Sequence, residues 1–503
     1  MTQEDYQQTK FTGGYIGGAI SITELKSKSL KGINFLVKRQ IVIRLFSFLA
    51  NIILARLLVP EVFGVYAIVA FVVQVFSMFG DVGIGAALIQ KKEELSREKL
   101  SSIFWLQQIL VWFVVCVAFV VAPLVLIFYH TLPSYATWLI RIMAVSFALA
   151  SLKTIPAILM ERELDFSRIA LVDIMETAIF YVTAIFLAIA GFEVWSFIIA
   201  ALLRSFGGVI TIYMYSPWRP ACFFKISEVK DLVRFGFAYQ GSGLINLIKD
   251  SVTPIFIGVY AGSAAVGYVT WAKMLALSPL MLSEAFGRVA FPAFSRMQSD
   301  KEVLSKAVER SMKNITMVMF PVVALMFALG PEIVHVVFTE KWLPALPAYY
   351  FYCSVPLAIG VMLPMYSAIL SLGRSGIILK MSMGLLVLEW GLGVPLVWAF
   401  DFNGVAFSQP LIAALFYFVY RRVLRRNSVR PELLRNIRPQ LVSFAAAFGA
   451  VVMIKQSFTV SPAGLSIAAL SGIAVYVAVV FFVGRQSLTQ FMKDFIELFR
   501  SGK

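Results

Sequence analysis

The chain has 503 residues, 60% of them hydrophobic and 14% charged, with mean hydropathy +0.83 and a formal net charge of +16. Soluble domains carry about 25% charged residues, so this composition excludes a water-soluble globule and points to an all-α polytopic membrane protein. The positive charge sits in short loops between apolar runs; no basic stripe is interleaved with aromatics, which excludes a nucleic-acid platform.

Residues 1–32 are polar or Gly-rich and lack the apolar core of a cleavable signal peptide, so they are expected to form a cytoplasmic tail. About fourteen apolar stretches then follow, each near the roughly 20 residues that a bilayer demands. Six of them, at 33–58, 62–89, 103–128, 136–159, 169–190 and 194–215, make a first lobe at 33–216. A basic connector at 217–231 leads to six more, at 232–259, 264–291, 308–329, 346–372, 377–399 and 404–420, in a second lobe at 232–422. A second basic connector at 423–440 precedes two added helices within 441–484 and a tail at 485–503. Alternate loops hold most of the Lys and Arg, from Lys91 and Lys92 to the cluster between Arg421 and Arg438. Both termini are therefore expected to be cytoplasmic.

The stretch from Gln40 to Gln90 holds two apolar runs hinged at Pro60-Glu61. Gln40, Arg44, Ser47 and Asn51 recur at helical spacing and form one polar stripe on the first helix. The same stripe returns as Ser242, Asn246, Lys249 and Thr253, at a constant offset of 202 residues, and Tyr66 and Tyr268 keep that offset. This is the pattern of a duplicated unit. Six spans per copy is an even number, so both copies insert the same way up, related by a pseudo-two-fold axis along the membrane normal.

Charges within the spans are few. A charge at the bilayer centre costs about 2.5–3.5 kcal/mol if it faces lipid, so these must pair or face water. Arg39, Arg44, Asn51, Asn246, Lys249, Lys273 and Arg288 are the candidate lining of a cationic cavity suited to phosphate oxygens. Asp81, Glu176, Asp250, Glu284 and Glu389 are candidates for ion coupling, since burial favours the protonated carboxyl. Cys116, Cys222 and Cys353 are far apart with no CxxC, and His130 and His335 stand alone, so no metal site is expected. No GxSxG, HExxH or Walker loop is present; neither a cofactor nor catalysis is expected, and uphill transport would draw on an ion gradient.

ARLLVPEVFGVYAIV (residues 55–69), MERELDFSR (160–168) and VFTEKWLPALP (337–347) resemble the signature segments of oligosaccharide flippases. The chain thereby resembles the polysaccharide transporter branch of the multidrug/oligosaccharidyl-lipid/polysaccharide (MOP) exporter superfamily, and within it the colanic-acid and teichuronic-acid exporters. The resemblance implies two six-helix lobes around a central cationic cavity. It also implies a substrate of undecaprenyl-diphosphate-linked oligosaccharide, moved across the inner membrane for surface polysaccharide synthesis, with Arg44 and Lys249 meeting the diphosphate. The partners expected are that substrate, membrane lipids, a polymerase and glycosyltransferases, with the protein itself a monomer. The alternative is a multidrug antiporter of the same superfamily, against which the Arg and Lys of the two stripes argue.

Overall fold

The computed structural model describes residues 11–13, 18–20, 22–80, 88, 96–225, 243–457 and 460–500, with side chains omitted at 11–38, 282, 284–285, 287–289, 433–435 and 494–500. The described chain is helical apart from its turns, the irregular stretch 216–225 and one short antiparallel pair, Phe11–Gly13 with Gly18–Ile20. It divides into two compact units, Met1–Ala264 and Ala265–Lys503. Eleven stretches among the described residues are long and apolar enough to cross a membrane.

The first unit contains α1 (Ile22–Leu57), α2 (Pro60–Gly80), α3 (Arg97–Phe128), α4 (Ala136–Ser151), α5 (Thr154–Arg162), α6 (Phe166–Ile189) and α7 (Trp195–Tyr215). Pro60 opens α2 at a position whose missing N–H would have no helical partner anyway. Ser96 caps α3 by accepting from the Lys99 amide, and Asp165 caps α6 by accepting from the Arg168 amide. The expected fourth span is broken at Leu152-Lys153 into α4 and α5. Helix α1 packs on α6, α6 on α7, α4 on both α3 and α7, and α2 on α3 and α4. Small residues allow the close approaches: Ala118, Ala144 and Ala148 form one buried cluster with Val111 and Val115. The helices of this unit expose large apolar side chains such as Val120, Phe186 and Met214, as lipid-facing surfaces do.

Helix α3 contains Pro123, which cannot donate to the carbonyl of Phe119 one turn earlier. That carbonyl accepts instead from Arg141 of α4, through Nε at 3.3 Å and Nη2 at 3.1 Å. The guanidinium also lies over the rings of Trp138 and Phe119, at 4.9 and 5.6 Å. An arginine within an apolar helix is thus explained by a proline on its neighbour.

Between the last helix of that set and the end of the unit, residues 243–260 are helical with a π-turn at Val252–Ile257. Helix α8 (Gly262–Ala276) begins in the last residues of the first unit and lies mostly in the second, which continues with α9 (Leu280–Met297), α10 (Lys301–Ala328), α11 (Gly330–Val337), α12 (Leu346–Ser371), α13 (Ser375–Phe400), α14 (Gly404–Arg426), α15 (Leu433–Lys455) and α16 (Pro462–Arg500). The expected eighth span is interrupted before Leu280, where Pro279 stands. Asp300 caps α10 by accepting from the Glu302 and Val303 amides. The core stacks Trp271 on Trp342 at 5.2 Å and 17°. Helices α13 and α14 are joined by the tight turn Asp401–Asn403, and a Cβ on Gly404 would collide with the main chain of Leu396 and Val397.

Candidate functional site: a charged seam in the first unit

Helix α6 carries two carboxylates on one face, Asp173 and Glu176, and they gather cations from three directions. Arg39 of α1 donates from Nη1 to Asp173 Oδ2 at 2.6 Å, and its Nε is buried without a partner. Glu176 is only 3% exposed. One of its oxygens accepts from Lys153, in the break between α4 and α5; the other lies 3.5 Å from Nε of Arg204 on α7. Gly208 makes the room, because a Cβ there would collide with the Glu176 carboxylate. A buried carboxylate of this kind persists only when paired, and here it is paired twice.

Further along the same two helices, Asn51 of α1 donates to the Tyr181 hydroxyl of α6 at 2.9 Å and to its own Ser47 carbonyl at 2.8 Å. The partners on α1 and α6 rise in number together, so the helices run parallel. Tyr181 and Arg204 both act electrostatically on the phenol of Tyr66 on α2, whose ring stacks on Phe197 of α7 at 4.6 Å and 21°. The seam therefore draws on four long helices and on the break between α4 and α5.

The break itself is held by side chains. Gln107 of α3 donates to Thr154 at 3.1 Å, Gln108 exchanges hydrogen bonds with Ser151 at 3.1 and 3.3 Å, and the Tyr213 hydroxyl donates to the Leu152 carbonyl at 3.0 Å. Inside a bilayer these groups supply what water would supply elsewhere. Lys153 is thereby fixed beside Glu176. Taken together, Arg39, Lys153 and Arg204 are set against Asp173, Glu176 and, at the Arg39 end, Glu161, and half-buried Arg44 of α1 adds a fourth cation. Such an arrangement can hold an anion; among the described residues no cluster of His, Cys, Asp or Glu could hold a metal.

The structure brings Arg39, Asn51 and Glu176 into this seam, and half-buried Arg44 lies between Arg39 and Asn51 on α1. Asn246 is exposed. Lys249, partly buried, pairs with its neighbour Asp250 at 3.1 Å, and Asp250 is itself 72% exposed. In the second unit Lys273 lies 5.4 Å over the Tyr352 ring, and Glu389 accepts from Gln409 at 3.0 and 3.3 Å. Asp81 and the side chains of Glu284 and Arg288 lie outside the described residues. Sequence reasoning missed Lys153, and it left Arg204, Tyr66 and Tyr181 outside the site. The one signal for Lys153 was a lysine inside the apolar run 136–159, where a charge needs a partner. The second unit repeats one element of the geometry: Tyr268 stacks on Phe402 at 5.5 Å and 23°.

Residues 53–347 match a family model described as polysaccharide biosynthesis protein. The succinoglycan biosynthesis transport protein ExoT of Rhizobium meliloti (strain 1021) is 31% identical over 307 residues, covering 59% of each chain. The teichuronic acid biosynthesis protein TuaB of Bacillus subtilis (strain 168) is 27% identical over 314 residues, covering 61% of this chain and 64% of the relative. The lipopolysaccharide biosynthesis protein WzxC of Escherichia coli (strain K12) is 26% identical over 368 residues, covering 71% of this chain and 72% of the relative. The chain thus spans about three-fifths of the length of the first two relatives. Among solved structures, the lipid II flippase MurJ in its inward closed conformation matches with TM-score 0.74 at 15% identity, over 91% of this chain and 100% of that one. An inward-facing multidrug resistance MATE family transporter of the MOP superfamily matches with TM-score 0.57 at 16% identity, over 77% of this chain and 95% of that one. Both are likenesses of fold.

Proposed function

The chain belongs to the polysaccharide biosynthesis protein family, and from that premise we propose that it is a flippase for lipid-linked oligosaccharide. It carries undecaprenyl-diphosphate-linked units across the bacterial inner membrane by ion-coupled alternating access, for assembly of a surface polysaccharide. The observation that carries this reading is the excess of one fixed positive charge inside an apolar bundle: Arg39, Arg44, Lys153 and Arg204 set against Asp173, Glu176 and Glu161. A low-dielectric wall strengthens the attraction of such a surplus for a diphosphate. A cavity for organic cations would need the opposite balance, which disfavours the multidrug antiporter.

The architecture belongs to the same proposal. Fourteen spans fall into two halves of six, at 33–216 and 232–422, followed by two more helices within 441–484, with the basic connectors and both termini on the cytoplasmic side. The stripes at an offset of 202 residues support the duplication. The two stacks add to it, since Tyr66 on Phe197 joins the second and sixth spans of the first half, and Tyr268 on Phe402 joins the second span of the other half to the turn that opens its last span, with similar ring tilts. The proposed phosphate ligands are Arg39, Arg44, Asn51, Asn246, Lys249, Lys273 and Arg288. The proposed ion-coupling acids are Asp81, Asp250, Glu284 and Glu389. Glu176, gripped by two cations, fits a positioning role better than a proton carrier. The protein works as a monomer beside a polymerase and glycosyltransferases.

The test is complementation of a deletion strain. Arg44→Ala with Lys249→Ala is expected to abolish polymer export and to accumulate lipid-linked units, while the protein still inserts in the membrane at normal levels. Normal export by the double variant refutes the cationic route. Normal polymer together with new drug sensitivity in the deletion strain would favour the antiporter.

A further inference from the structure

Arg204 stands near the middle of α7, about ten residues or roughly 15 Å from either end of Trp195–Tyr215. Its side chain is 51% exposed, although a charge at that depth is stable only when it meets water or a counter-charge. The contact it makes is unusual in its economy. Nε alone approaches Glu176, at 3.5 Å, and among the described residues no acceptor engages the two terminal nitrogens. Glu176 is drawn to Lys153 by a closer contact, so its hold on Arg204 is the looser of the two.

An arginine tethered at Nε presents the fork of its terminal N–H groups outward, the end that matches two oxygens of one phosphate. Gly208 fixes the tether by leaving space for the carboxylate, and the Tyr66 phenol lies within electrostatic reach of the guanidinium. We infer that Arg204 is a binding residue for the diphosphate of the lipid-linked guest, and that Glu176 is the positioning residue that aims it. The guest's phosphate oxygens take the terminal N–H groups without displacing Glu176 from Lys153. This inference rests on the flippase reading and adds a ligand that lies on neither polar stripe.

The experiment measures lipid binding to purified wild type, Arg204→Gln and Arg204→Lys in nanodiscs by native mass spectrometry. The probes are undecaprenyl diphosphate and undecaprenol, with phosphatidylglycerol and inorganic pyrophosphate as competitors. Wild type is expected to prefer the diphosphate lipid. Arg204→Gln is expected to weaken that lipid about tenfold, equivalent to ~1.4 kcal/mol, with undecaprenol binding unchanged. Arg204→Lys keeps the charge without the fork and should fall between the two. Competition by pyrophosphate supports recognition of the diphosphate itself. If phosphatidylglycerol competes as well as undecaprenyl diphosphate, Arg204 holds ordinary membrane lipid and the inference is overturned. If Arg204→Gln keeps the wild-type preference, the inference is overturned while the flippase reading stands. If wild type shows no preference at all, the flippase reading itself fails. An equal loss for both lipids would mark a merely structural arginine and overturn the inference.

Discussion

Glu176 offers the sharpest energetic test of the seam. Removing one partner of a buried ion pair costs about 3–5 kcal/mol, because the other charge is left without compensation. The contact with Lys153 carries most of this, since Lys153 is 25% exposed and Glu176 3%. Arg204 is 51% exposed and stands 3.5 Å away, so its share is that of a surface pair, about 0–1 kcal/mol. Glu176→Met is therefore expected to destabilise the first unit by about 3–5 kcal/mol. Lys153→Met should cost a similar amount, since it strands the carboxylate. The double variant replaces a buried pair by two apolar chains, an exchange that is often near neutral. Its cost should therefore fall well short of the sum of the two single costs, about 6–10 kcal/mol, and by more than about 3 kcal/mol. Equilibrium unfolding in mixed micelles, followed by tryptophan fluorescence over an SDS titration, gives the four corners of this cycle. Additivity within about 0.5 kcal/mol would show that the two residues act independently and would refute the reasoning.

Gly208→Ala places a methyl group against the Glu176 carboxylate and should cost about 1–3 kcal/mol; in a Glu176→Ala background the same change should be close to neutral in the same titration. Tyr181→Phe removes the acceptor from Asn51, which keeps its bond to Ser47, so a loss of about 0.5–1.5 kcal/mol is expected. Gly404→Ala meets main chain that cannot rotate away, and folded yield after extraction should drop in line with a cost of about 3 kcal/mol. Gly449→Ala has open space around it and should instead stabilise α15 by about 1 kcal/mol, which makes it the control for that measurement.

Much of the helical layout was legible because apolar runs of membrane length have few alternatives. Their interruptions were less so. The break at Leu152-Lys153 lies within a run that reads as continuous, and the polar groups that hold it, Gln107, Gln108 and Tyr213, come from other helices. The polar stripe on α1 was visible from spacing, yet spacing marks a face and not what the face meets. Asn51 turns to Tyr181 and Arg39 to Asp173, both within the same unit, where the sequence pointed to the lining of a cationic cavity. Glu176 could be named from its burial in a span, but its two cations lie 23 and 28 positions away and no helical period relates them. Arg141 stands outside the candidate residues that the sequence offered. Pro123 was the clue to it, since a proline inside a helix leaves a carbonyl that some donor must satisfy.

The repair at Pro123 also constrains how this chain can change over generations. While the proline is present, loss of Arg141 leaves a main-chain oxygen bare in hydrocarbon, so that step is penalised. Once Pro123 has given way to a residue with its own N–H, the helix closes its missing rung and the arginine loses its occupation. Substitution at the two sites is therefore ordered, proline first and arginine second, and lineages carrying the proline without a nearby donor should be rare.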